Sequence, residues 1–72
     1  MSRKNRKPAA PTYRVEITDE TGMYVFGNGY PSAIAAARAI AGVFPEIDAD
    51  VLAADGGAFN ESGSTRLEIG QD

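Results

Sequence analysis

Apolar and polar residues alternate most cleanly between Thr12 and Thr18. Tyr13, Val15 and Ile17 point one way; Arg14, Glu16 and Thr18 point the other. A two-residue period over β-branched and aromatic side chains predicts a half-buried strand. Asp19-Glu20-Thr21-Gly22 supplies turn chemistry, and Met23-Tyr24-Val25-Phe26 reads as a second strand. Residues 12–27 are therefore expected to form a hairpin, with Gly27-Asn28-Gly29 breaking the ladder after it.

From Pro31 to Phe44 the spacing turns helical. Ala33, Ala37, Ile40 and Phe44 form one stripe, widened by Ile34, Ala41 and Val43, while Arg38 falls outside it and should face water. Pro31 suits the first helical position, or Ser32 the N-cap. Pro45 ends the helix, because the residue before a proline avoids the α region. The many alanines let this helix sit close to a sheet.

Alternation resumes at Ile47. Ile47, Ala49, Val51 and Ala53 share one face, and Asp48, Asp50, Leu52 and Ala54 share the other, which predicts a third strand over Ile47–Asp55. Asp55-Gly56-Gly57 reads as a turn and Ala58–Ser64 as a loop anchored by Phe59. Thr65–Ile69 alternates again, with Leu67 and Ile69 opposite to Arg66 and Glu68, and reads as a short fourth strand. The expected class is α+β: a small antiparallel sheet with one helix packed on one face, in the order β-β-α-β-β. A helix joining strands two and three as parallel neighbours would cross right-handed.

Composition narrows what such a domain can do. Its 72 residues make one domain, whose core must be compact or completed by a partner or a second copy. With 43% hydrophobic residues the chain is not disordered by composition. It has no Cys and no His, so disulfides, thiolate ligands, the usual general base and the commonest zinc ligand are all absent. The basic start is followed by Pro8-Ala9-Ala10-Pro11 rather than by an apolar run, which sets the expectation of a cytoplasmic protein.

Charge divides the chain by position. Arg3, Lys4, Arg6 and Lys7 precede any acid and carry +4. From Pro8 onward Arg14, Arg38 and Arg66 stand against ten acids, a body of -7 (3 minus 10) within a total of -3. Residues 1–11 are expected to be a disordered basic arm, and residues 12–72 a single small α+β domain.

Candidate sites follow from that division. Gly27-Asn28-Gly29 precedes a helix N-terminus, where backbone N–H groups can hold an anion. It lacks the Lys, Ser/Thr and third Gly of the phosphate motifs, and a strand-to-helix turn needs glycines in any case. Asp48, Asp50 and Asp55 are hard oxygen donors, but their spacing fails the EF-hand pattern and reads better as a solvated polar face. No Ser or Thr has a His to activate it, and every Lys lies in the arm. The expectation is a non-enzymatic protein with no cofactor and no metal.

Tyr24 and Phe26 would line an open contact face if Met23 and Val25 faced the helix; the reverse assignment makes them core. The leading functional expectation is an interaction module. Its acidic body, through Glu16, Asp48 and Asp50 with Tyr24 and Phe26, would dock on a basic surface of a larger partner, such as a nucleic-acid-binding protein. Small phage-encoded inhibitors, anti-CRISPR proteins among them, are often acidic domains of this size; the analogy is one of type and rests on no motif. Two alternatives are a nucleic-acid-associated protein led by Arg3, Lys4, Arg6 and Lys7, and a homo-oligomer pairing through a sheet edge or the aromatic face.

Overall fold

The computed structural model describes residues 10–72. The expected arm, with Arg3, Lys4, Arg6 and Lys7, lies outside the described residues except for Ala10 and Pro11, which are exposed. The chain runs β1 (Tyr13–Asp19), β2 (Gly22–Tyr30), α1 (Ala33–Ala41), α2 (Ala49–Asp55), β3 (Gly57–Phe59) and β4 (Arg66–Gln71). It is an α+β domain with a four-stranded sheet in the order β2-β1-β4-β3, antiparallel at every step. The expected hairpin and the last strand are present. The order differs from expectation, because two helices rather than one separate the strand pairs, and no parallel crossover occurs.

Residues 47–55 account for the difference. They form a helix, not a strand. Asp48 caps it, its Oδ1 accepting the backbone N–H groups of Asp50 at 3.0 Å and Val51 at 3.3 Å. Gly56 closes it in the left-handed region at φ 80°, its N–H bonded to the Leu52 carbonyl. The small, regularly spaced Ala49 and Ala53 suit a helix face as well as a strand face. Leu52 decides between them: as a strand residue it would share a side with Asp48 and Asp50, and as a helix residue it is fully buried.

Other boundaries move by less. Ser32 is the N-cap of α1, its Oγ accepting the Ala35 N–H at 3.1 Å, so Pro31 lies outside the helix. The helix ends at Ala41 rather than Phe44. Ala36, Ala37 and Ile40 are its buried face, Phe44 and Ile34 pack beside it, and Val43 is exposed rather than part of the stripe. Arg38 is exposed as expected. Gly27-Asn28-Gly29 does not end the ladder: β2 continues to Tyr30, which pairs with Tyr13. Two register shifts absorb the irregularity, each adding one residue to β2 against β1. A short β3 occupies what reads in sequence as the start of a loop.

Both helices cover the same side of the sheet. Val15, Ile17 and Leu67 from β1 and β4 meet Ala36, Ala37, Ile40 and Leu52, and all seven are buried. No buried residue is polar or charged among those described. Alanine at 36 and 37 brings the α1 backbone near the sheet, leaving Ile40 and Leu52 to fill the space on either side. Leu52→Ala is expected to cost about 2–5 kcal/mol, the range for emptying a packed leucine site. Val51→Ala should stay within about 0.5 kcal/mol, since Val51 is exposed. Urea unfolding of the two variants checks both; the reverse order would mean that this segment is not a helix on the core.

Candidate interaction site

The sheet's second side is open. Residues paired directly across strands share a side, so two rows can be read from the register. Val25, Glu16, Glu68 and Gly57 form one, and Met23, Thr18, Arg66 and Phe59 the other. Glu16 and Glu68 therefore stand directly opposite each other, an arrangement that repels unless each carboxylate has its own cation.

Each has one on its own strand. Arg14 Nε donates to Glu16 Oε2 at 2.6 Å, and Arg66 Nη2 donates to Glu68 Oε2 at 3.0 Å. Arg66 also lies over the Phe59 ring, 5.6 Å from its centroid. Arg14 Nη1 reaches the Gln71 carbonyl at 2.7 Å and Asp72 Oδ1 at 3.7 Å. Hydrogen bonding and charge from Glu16 raise the Arg14 pKa further, so the guanidinium is fixed as a cation. The open face is close to neutral as a result.

The helix side differs. Glu46, Asp48, Asp50 and Asp55 surround α2 and are exposed, as is Glu61 in the loop between β3 and β4. Glu46 ties that loop to the helix region, its Oε2 accepting the Glu61 N–H at 3.3 Å. Arg38 is the only cation between Pro31 and Thr65, and it forms no ion pair among the described residues. The fold thus separates the residues that sequence reasoning grouped. Asp48 and Asp50 lie on the helix side, though not on one strand face, while Glu16 lies on the open side under Arg14.

The two aromatics also part. Tyr24 pairs with Ile17 and so points to the helix side, yet it is 51% exposed, beyond the cover of the helices. Phe26 packs partly against the core. Met23 and Val25 take the open side, the reverse of the assignment that would have put the aromatics there. Asp55 sits at the end of α2, remote in role from any ligand set. No group of three or more potential metal ligands and no pocket is present among the described residues. No helix among them is long and apolar enough to cross a membrane.

Comparison with protein families, with curated proteins and with solved structures finds no match to this chain. The sheet rows were missed in sequence because they need the β1–β4 register. The uncompensated acids of residues 46–61 were visible as a run with no cation from Arg38 to Arg66.

Two carboxylates are held below the ordinary value of 3.8 by hydrogen bonds. Asp19 accepts from the Thr21 hydroxyl at 2.6 Å and the Thr21 N–H at 2.9 Å, closing the hairpin turn. Asp72 accepts from the Thr12 hydroxyl at 2.9 Å and the Gly29 N–H at 3.2 Å, with Arg14 nearby. A folded pKa below the unfolded one adds stability at pH above the unfolded value, and that gain is lost as pH falls through the folded value. Thermal unfolding followed down from neutral pH should therefore show an acid limb that Asp19→Asn with Asp72→Asn flattens. An unchanged acid limb in the double variant would assign acid sensitivity to other groups.

Proposed function

We propose that this chain is a non-enzymatic interaction module that docks its helix-side carboxylates on a basic surface of a larger protein. The observation that carries the reading is the unequal neutralisation of the two sides. Arg14 and Arg66 are engaged by carboxylates of the open sheet face. Glu46, Asp48, Asp50, Asp55 and Glu61 have no such partners among the described residues. Charge concentrated in this way steers association and sets partner choice more than it adds raw affinity. Partners of matching chemistry are proteins whose surfaces bind phosphate, because carboxylates can take the place of phosphates. A small inhibitor of a nucleic-acid-binding machine is the role that suits this chemistry. Glu16, engaged by Arg14 on its own strand, is left out of the docking set.

The test is a variant that neutralises four of these carboxylates and keeps the fold. Asn caps helices as well as Asp does, so Asp48→Asn removes charge and retains the cap. Combined with Glu46→Gln, Asp50→Asn and Asp55→Asn, it should remain folded by circular dichroism. The wild-type full chain is expected to capture a basic protein from nuclease-treated lysate, to release it as salt rises, and to release it to added duplex DNA. The fourfold variant should capture none. Undiminished capture by that variant, or release only on nuclease treatment, would overturn the docking reading; the second result would move the role to the basic residues at positions 3–7.

A further inference from the structure

The long edge of the sheet is chemically unlike the rest of the domain. β2 lies at the edge, spans nine residues and contains no charged side chain, in a body of -7. Met23, Tyr24 and Val25 are consecutive and 57%, 51% and 47% exposed. Edge strands are ordinarily blunted by charge, proline, bulges or shortness. Here the register shifts fall beyond Val25, so Met23–Val25 is regular and carries none of these devices.

The backbone of this stretch is directed outward in a definite pattern. Glu20 and Thr21 form a two-residue loop between the paired Asp19 and Gly22, which therefore exchange backbone hydrogen bonds. Bonded and non-bonded pairs alternate from there, so Tyr24 bonds inward to Ile17. The N–H and C=O groups of Met23 and Val25 then point away from β1, towards the free edge.

We infer that β2 pairs antiparallel with β2 of a second copy of this chain, about a two-fold axis at Tyr24. In that register Met23 bonds to Val25 of the second copy and Val25 to its Met23, using the outward groups of both. Tyr24 meets Tyr24 on the helix side, and Met23 meets Val25 on the open side. Gly22 falls opposite Phe26, and Glu20 opposite Asn28. No carboxylate faces a carboxylate, although each body is strongly acidic. A two-fold contact requires such self-complementarity, and the order Met-Tyr-Val supplies it. This pairing is independent of the helix-side docking surface and leaves that surface exposed in both copies.

The test uses the absence of cysteine. Tyr24→Cys gives the full chain a single thiol at the two-fold axis. Directly opposed, non-bonded residues have Cα atoms about 4.5 Å apart, within the roughly 4.4–6.8 Å a disulfide spans. Mild oxidation should convert this variant to a disulfide dimer, while Val43→Cys, equally exposed on the helix layer, should remain mostly uncrosslinked. Sedimentation of wild type at rising concentration should show twice the 7.6 kDa chain mass. Tyr24→Lys and Tyr24→Asp should each be monomeric, and an equal mixture of the two should recover the dimer. The inference is overturned by a wild type that stays monomeric into the millimolar range, by equal cross-linking of the two cysteine variants, or by a folded Tyr24→Lys chain that still dimerises.

Discussion

The placement of β4 between β1 and β3 governs the rest of the molecule. It joins residues 13–18 to residues 66–71, nearly the full length of the described chain, through an unbroken antiparallel register. It also supplies Leu67, the buried side chain that meets Val15 and Ile17 on one side and the helices on the other. Once β4 holds the centre, β2 and β3 are forced to opposite edges. The connection between them must then cross three inter-strand spacings, about 14 Å, while covering the sheet. One helix over β1 and β2 and a second over β3 and β4 meet both demands.

That requirement explains what the sequence disclosed and what it did not. The β1–β2 hairpin and α1 are legible because each carries its own period and its own punctuation, at Gly22 and Ser32, and β4 because Thr65–Ile69 alternates. Residues 47–55 carry two periods at once. Apolar residues alternate with acids over 47–51, as in a strand, while Asp48 and Gly56 stand where helix caps would. Alanine is compatible with both, so the choice falls to Leu52 and to the uncovered half of the sheet, which is a tertiary fact. Similarly, Gly27-Asn28-Gly29 has the composition of a break, but pairing with Tyr13 carries β2 through it.

The candidate site was legible in charge but not in geometry. Counting acids against bases identified an acidic body, and the cation-poor stretch between Arg38 and Arg66 marked where the excess lies. Glu16 does not belong to that cation-poor stretch: Arg14 engages it on the same strand, two residues away. The result is a domain with two electrostatic characters: a sheet surface of paired ions, and a helix surface whose carboxylates have no cationic partner among the described residues. Like-charged Glu16 and Glu68 stand opposite each other, each paired with an arginine of its own strand. Removing either arginine would leave two repelling carboxylates on adjacent central strands.

The brevity of β3 has its own meaning. At three residues it offers little backbone for another strand to follow. The sheet thus has one long edge of nine residues and one short edge of three. Fibrillar growth needs a particle that can add neighbours on both sides, and a particle with a single usable margin ends any row it joins. A far flank of only three strand residues gives a row joined at β2 little backbone to extend from.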